Sequence, residues 1–246
     1  MDASNKPDSP TGAWHAHLAP SLSGVVAGMW AGALGRTVRC VPTRRTVAAE
    51  HEGAFVFGKW RLHRGNDAAK EWHWLHLLPL LGIRAAEPVV WIGSRKRNLL
   101  VTAGVAGRAL DAWAVEAVRA GWLRELVDYA CREVAPAVRR LHDQGLVYRD
   151  LYWNHLYVAD PRQREPGNAP VFLDCERILR PRFLWHRWVV KDLASLWASV
   201  PVPVSSRAAL RFFRSYVGAS LHEHRGELLA IAAKAARIRR HVPRFG

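Results

Sequence analysis

Asp150 lies in the run Tyr148-Arg149-Asp150-Leu151-Tyr152-Trp153-Asn154-His155, between a long amphipathic stretch and the short apolar run Leu156-Tyr157-Val158. A carboxylate fixed in such a loop can accept the proton of a hydroxyl group. His155, five residues on, offers an imidazole to a cation or a phosphate. Asp174 closes a second apolar run, Val171-Phe172-Leu173, 24 residues after Asp150. Two strands joined by the polar loop 160–169 can set these carboxylates side by side. One group to take a proton and another to hold a divalent cation suit phosphoryl transfer to an alcohol. Lys59, in Phe55-Val56-Phe57-Gly58-Lys59-Trp60, is a charge in an apolar strand, and Glu71 follows twelve residues later on the next predicted helix. A lysine braced by a carboxylate can be aimed at phosphates. Asp192, in Lys191-Asp192-Leu193-Ala194-Ser195-Leu196, is read as opening an apolar helix.

Each residue also has an ordinary reading. Asp150 can close an Asx-turn, Asp174 can sit at a strand end, Lys59 can snorkel from an edge, and Asp192 can be an N-cap. Lys70 and Arg61 compete with Lys59 for Glu71, although neither has the same apolar frame. The order of the elements separates the two kinds of reading.

Short β-type runs, Thr37–Val41, Thr46–Ala49 and Ala54–Trp60, are broken at Pro42-Thr43 and Glu52-Gly53, as in hairpins. A helix follows from Asn66 or Asp67 to about Leu78, with Pro79 and Gly82 as its stop, then β-type runs at Pro88–Ile92 and Asn98–Thr102. From Asp111 the texture is helical. Leu123, Leu126, Val127, Ala130, Val134, Ala137, Val138 and Leu141 form one apolar face that ends at Gly145. A short hairpin, Leu156–Val158 with Val171–Leu173, is embedded before helices resume from Lys191. This order predicts an α+β, two-lobed protein-kinase-like fold, with a loose tail over 1–12, a β-rich N-lobe carrying one helix over 13–102, and a mainly helical C-lobe over 103–246.

Composition narrows the partners. Half of the 246 residues are hydrophobic, and 36 Lys and Arg against 21 Asp and Glu give a net charge of +15. Such an excess favours polyanions: nucleic acid, an anionic membrane or a phosphorylated glycolipid. Basic residues interleaved with aromatics for stacking on bases are missing, so no nucleic acid is expected. Cys40, Cys131 and Cys175 are scattered and read as free thiols of a reducing compartment. No HExxH, Cys/His spacing or nucleophile elbow is present. The stretch Leu22–Leu34 carries three glycines and is shorter than the ~18 residues a spanning helix needs. No secretory signal is evident, so the expected location is cytoplasmic. Lys234–Arg244 carries five basic residues beside Leu228, Leu229, Ile231, Ala235 and Ile238, which reads as a solvated helix face or a membrane-surface face.

Arg149-Asp150-Leu151 coincides with the core of the kinase catalytic loop H-R-D-L-x-x-x-N, with Tyr148 for the His and His155 for the Asn. With the Lys191-Asp192-Leu193-Ala194-Ser195-Leu196 run, the segment Phe55–Gly65, Ala69-Lys70-Glu71-Trp72 and Arg211-Phe212-Phe213-Arg214-Ser215-Tyr216, the chain resembles the lipopolysaccharide kinases that phosphorylate Kdo or heptose of the inner core. The resemblance spans about Phe55–Tyr216. It implies ATP and Mg²⁺ as cofactors, a sugar or glycolipid acceptor, and action at the cytoplasmic face of the inner membrane. It makes Asp150 the base, His155 a catalytic group and possible cation ligand, and Asp174 the metal carboxylate. Lys59 and Glu71 would hold the ATP phosphates, while Arg149 and Asp192 support the loop. Backbone groups near Leu100–Gly104 would bind adenine. Two features depart from the family pattern: Asp174-Cys175-Glu176-Arg177 replaces Asp-Leu-His-Arg, and no glycine-rich loop precedes Lys59. Alternative readings are a protein Ser/Thr kinase, disfavoured by the 18 residues from Asp174 to Asp192 and the lack of Ala-Pro-Glu, and a catalytically inactive binding scaffold.

Overall fold

Alternating β-branched and aromatic residues between Arg36 and Arg61 fold as a meander, because their turn residues permit two-residue loops. In the computed structural model β1 (Arg36–Val41), β2 (Arg44–His51) and β3 (Ala54–Arg61) run antiparallel. Glu52 and Gly53 both take positive φ, the primed turn geometry that matches the twist of paired strands. β4 (Pro88–Gly93) and β5 (Asn98–Ala103) complete a five-stranded sheet in the order β1-β2-β3-β5-β4. The structure describes residues 20–61, 67–93, 97–165, 167–218 and 220–240. The expected loose tail over 1–12 lies outside them.

The chain divides into two compact units, one running to Leu77 and resuming over Ala86–Val105, the other formed by Leu78–Ala85 and the chain from Ala106. In the first unit, helix α1 (Pro20–Ala31) covers one face of the sheet. Val26, Met29 and Trp30 pack there with Val47, Val56, Trp60, Ile92, Leu99 and Val101. Trp30 stacks on Trp60 at 5.2 Å, and the Arg97 guanidinium lies 4.4 Å from the Trp30 ring centroid. Gly58 permits this packing: a Cβ there would come within 3.1 Å of Leu99 and 3.2 Å of Met29 and Val47. Helix α2 (Asp67–Leu80) continues through Pro79, correcting the expected stop one residue earlier; a stop at Gly82, with φ 69, follows the helix.

In the second unit α3 (Leu110–Ala120) comes first, and α4 (Leu123–Tyr129) and α5 (Ala135–Asp143) carry the apolar face read from the sequence. A five-residue π turn, Ala130–Val134, joins α4 to α5. Pro136 cannot donate to the preceding turn, and a widened turn accommodates the lost bond. β6 (Arg108–Ala109), β7 (Leu156–Val158) and β8 (Val171–Phe172) form a small antiparallel sheet; β6 carried no sequence signal at two residues long. Gly107 is required beside it, since a Cβ would fall 2.1 Å from the Val158 carbonyl oxygen. Helices α6 (Trp185–Ala198), α7 (Ser206–Val217) and α8 (Arg225–Arg240) follow. α6 therefore starts before Lys191, and Asp192 lies in its middle, not at its opening.

Candidate active site

Strand parity explains Lys59. Val56, Gly58 and Trp60 point to the α1 side of the sheet, so Phe57, Lys59 and Arg61 share the opposite face. On α2, Ala68, Glu71, Leu75 and Leu78 form a buried stripe at helical spacing, in which Glu71 is the polar member. Lys59 Nζ donates to Glu71 Oε1 at 2.6 Å, and Arg61 donates to Oε2 at 3.0 Å. Glu71 is 1 % exposed. Two cations offset its desolvation, leaving Lys59 braced but partly open to solvent. Arg61, set aside in the sequence for want of an apolar frame, is the second partner, and the two-residue strand period would have flagged it.

In the second unit, the segment after α5 is held from α6. The buried Asp192 carboxylate accepts the backbone N–H groups of Tyr148 at 2.5 Å and Arg149 at 2.7 Å. Lys191, the neighbouring residue, donates its ammonium to the Arg149 carbonyl at 2.5 Å. Arg149 thus has its peptide groups clamped on both sides while its φ is 73°, a conformation that a non-glycine residue keeps only when its surroundings enforce it. Burial pushes the Lys191 ammonium below its ordinary range, against the nearby Asp192 and Asp150 charges. His142 Nδ1 is 2.7 Å from the Tyr216 hydroxyl, with Nε2 3.5 Å from Asp192, behind the clamp.

The clamped loop presents Asp150. Arg177 donates to both its oxygens, at 2.8 and 3.0 Å. His155 Nδ1 donates to the backbone carbonyl of Asp150 at 2.9 Å, which leaves Nε2 to face Asp174 Oδ2 at 3.9 Å. Asp174 lies two residues beyond β8, with φ 62°, and its backbone turns sharply into a 3₁₀ turn, Cys175–Arg177. Asp150, His155 and Asp174 are therefore brought together within one unit, all partly exposed. Asp174 supplies the hard oxygen that Mg²⁺ requires, and the bare Nε2 of a neutral His155 is available as a poorer ligand or, when protonated, as a donor. These residues fit a divalent cation. Asn154 is exposed.

Sequence reasoning missed Arg177, Lys191, Arg61 and His142. Arg177 stood in the quoted Asp-Cys-Glu-Arg run, and Lys191 in the helix run, but nothing in either gives a partner 27 or 42 residues away. The expected adenine segment is narrowed: Leu100–Thr102 are interior residues of β5, paired to β3 and β4, and the Ala103 and Gly104 N–H groups go to Glu87 and Phe55 carbonyls, so these donors are committed within the first unit. On α8, Ile231 and Ala235 are buried, so most of the apolar face beside its basic residues is used inside the unit.

The kinase-like order has counterparts in known proteins. The structure of WaaP in complex with acyl carrier protein matches with a TM-score of 0.67 and 25% identity, over 83% of this chain and 89% of that one. An aminoglycoside-3'-phosphotransferase of type VIII matches with a TM-score of 0.57 and 17% identity, over 88% of this chain and all of that one, a likeness of fold. Comparison with the curated proteins gave no match. The fold is thus α+β and protein-kinase-like. The model of the lipopolysaccharide kinase (Kdo/WaaP) family matches residues 56–216, which carry Lys59, Glu71, Asp150, His155, Asp174 and Asp192. The chain, with well over half its length matched, belongs to the lipopolysaccharide kinase (Kdo/WaaP) family and is a phosphotransferase of the kinase type.

Proposed function

We propose that this protein transfers the γ-phosphoryl group of ATP to a hydroxyl of a sugar, Kdo or heptose, in the inner core of lipopolysaccharide, at the cytoplasmic face of the inner membrane. The observation that carries this reading is the His155 imidazole set between the Asp150 backbone and the Asp174 carboxylate, in a chain of the lipopolysaccharide kinase family. The nucleotide and its Mg²⁺ supply the phosphoryl group and neutralise its charge. Lys59, fixed by Glu71, holds phosphate oxygens. Asp174, with His155, ligates the cation. Asp150 orients the acceptor hydroxyl and accepts its proton through lone pairs that Arg177 leaves open. Arg149 and Asp192 keep that carboxylate in place. The first unit serves as the nucleotide-holding lobe and the second as the acceptor lobe.

A partner of the acyl-carrier-protein type is a second element of this reading. The second unit contains an apolar cavity of about 200 Å³, lined among others by Leu126, Leu193, Leu196, Phe212, Phe213 and Ile231. A fatty acyl chain suits such a lining. Stabilisation by acylated but not by unacylated carrier protein, read as a rise in Tm, supports this, and equal effects of the two exclude it.

The test of the function is phosphate transfer from labelled ATP to delipidated inner-core oligosaccharide, with serine-containing peptides as controls. Asp150→Asn is expected to lower kcat by roughly 10²–10⁴ while nucleotide still binds. Labelling of peptides but not of sugar overturns the proposed acceptor class, and a kcat within a factor of about three removes Asp150 from the chemistry.

A further inference from the structure

From Arg177 to Lys191 the chain carries five basic residues and no acidic one. Within this stretch Arg182, Phe183, Leu184, Trp185, His186 and Arg187 are exposed without a break. Phe183 is 80% exposed, Leu184 64% and Trp185 37%. Among the described residues no two other exposed large apolar side chains are adjacent in the chain. The backbone contributes a second observation. Leu184, at the N-cap of α6, has φ 58°, a left-handed conformation that is costly for leucine, and its side chain stands in solvent. Strain spent on exposing an apolar residue has no explanation in the fold of the isolated chain.

The patch is mechanically tied to the loop that bears Asp150. Trp185 meets the His142 ring edge-on at 6.1 Å, and one turn further the Arg149 guanidinium lies 5.4 Å from the Trp188 ring centroid. Arg177, three residues before Arg180, holds Asp150. A surface that binds Phe183 and Leu184 therefore fixes the height and direction of the proposed acceptor site.

We propose that Arg180–Arg187 is an interfacial anchor that docks on an anionic lipid bilayer. Phe183 and Leu184 enter the boundary between headgroups and acyl chains, Trp185 lies at headgroup level, and Arg182 and Arg187 meet lipid phosphates. Charge decides the occupant: Phe183 and Leu184 are flanked in the chain by Arg180, Arg182 and Arg187, with no acid between Arg177 and Lys191. Although Asp143 and Glu227 lie near Trp185 and His186, the balance of charge along this stretch is complementary to an anionic interface. The proposal rests on the reading that the acceptor is the sugar of a glycolipid, which sits just above such an interface. α8 is the rival basic surface, and it lacks the apolar companions, since Ile231 and Ala235 are buried and Leu229 alone of its large apolar residues is exposed.

The experiment is flotation of the full chain with vesicles of phosphatidylglycerol and phosphatidylcholine, or of phosphatidylcholine alone, alongside turnover on delipidated and vesicle-embedded acceptor. Phe183→Ser/Leu184→Asn removes the apolar part, and Asn tolerates the left-handed backbone. Arg182→Gln/Arg187→Gln removes charge. The apolar variant is expected to bind anionic vesicles about tenfold more weakly or worse. The charge variant is expected to lose most of its salt-sensitive binding. Turnover of vesicle-embedded acceptor should fall with binding, while turnover of delipidated acceptor stays at the wild-type value. Equal vesicle binding by wild type and the apolar variant overturns the anchor, as does a wild type that ignores anionic vesicles. So does an apolar variant that only converts a dimer to a monomer, which would make the patch a self-association face. If wild type fails on delipidated acceptor, the functional reading falls, and flotation still decides the anchor.

Discussion

Replacing Asp192 by Asn exchanges one of two buried carboxylate oxygens for an amide nitrogen. Those oxygens accept from Tyr148 N at 2.5 Å and Arg149 N at 2.7 Å, and the side chain is fully buried. A hydrogen bond to a charged acceptor contributes roughly 1.5–3 kcal/mol, and an unsatisfied buried donor costs about 1–3 kcal/mol. Asn keeps one acceptor and sets an N–H₂ against the other backbone N–H. One charge-assisted bond is lost and one donor is stranded, partly offset by the smaller desolvation of a neutral group. The expected net loss is about 2–4 kcal/mol of stability. The Lys191 ammonium also loses the largest of the charges opposing its burial. Kinetics should respond separately. Arg149, freed on one side, can leave φ 73°, and a displacement of Asp150 by about 1 Å lowers kcat on the order of 100-fold. KM for nucleotide should change little, because Lys59 and Glu71 belong to the other unit. Urea unfolding and steady-state kinetics, both at a temperature where the variant is folded, measure the two effects. A variant within about 0.5 kcal/mol of wild type with unchanged kcat would show that the two bonds carry neither stability nor positioning.

Lys59→Ala should abolish transfer, and Glu71→Ala should weaken it while also destabilising by about 3–5 kcal/mol, because Arg61 is left buried without its carboxylate. The activity losses of the two should not add in the double variant, and strict additivity would separate the residues. His155→Asn should retain part of the activity, since a carboxamide oxygen is a suitable cation ligand, whereas His155→Ala should lose more and also free the Asp150 carbonyl. If Ala and Asn are equally harmless in kinetic assays, His155 serves packing alone. The phenols of Tyr129 and Tyr216 are raised above the ordinary value of 10.0, chiefly by burial and next by Glu133 and Glu227 respectively. The folded state therefore favours the protonated phenol, its contribution is complete below pH 10, and stability falls as pH rises towards the folded-state values. Each tyrosine adds a slope of about 1.4 kcal/mol per pH unit, so urea unfolding above pH 10 should flatten in Tyr129→Phe, and an unchanged slope refutes the assignment.

Local periodicity made most of the first unit legible. The Pro42-Thr43 and Glu52-Gly53 breaks mark two-residue loops, and every strand from β1 to β5 lies within two residues of its expected bounds. Helix starts were less legible where no cap residue exists. α6 begins after Leu184, which has neither a polar side chain nor a cap hydrogen bond, so Trp185–Val190 read as loop and Asp192 as a helix opening. The π turn at Ala130–Val134 was equally silent, because the apolar face continues across it. Among the candidate functional residues, types and spacing singled out Lys59 and Glu71 in the first unit and Asp150, His155, Asp174 and Asp192 in the second. What they could not supply were partners joined through tertiary structure. Lys191 looked like a neighbour of Asp192 and not a second clamp on Arg149, and Arg177 like one more surface charge.

Tyr148 and Cys175, two departures from the kinase pattern, are physically one feature. In kinases the phenylalanine of Asp-Phe-Gly packs in the position that Cys175 takes here, and a histidine takes the position of Tyr148. Tyr148 is fully buried, its ring lies 5.5 Å from that of Phe172, and its hydroxyl is 3.7 Å from Cys175 Sγ. The same hydroxyl donates to the Leu173 carbonyl, the residue before Asp174. A larger ring on the loop thus fills space beside a smaller side chain after Asp174, and core density is kept. The exchange adds a bond between the two segments that bear Asp150 and Asp174. That bond does by direct attachment what a packed phenylalanine does by contact, so Asp-Cys-Glu gives no physical ground for an inactive scaffold. The inactive reading then depends on the missing glycine-rich loop alone, and at that position the chain has the two-residue turn Pro42-Thr43 between β1 and β2, too short to fold over a phosphate chain. On the proposed function, nucleotide affinity rests more heavily on Lys59 and on a cation held by Asp174 than in kinases whose backbone amides cover the phosphates.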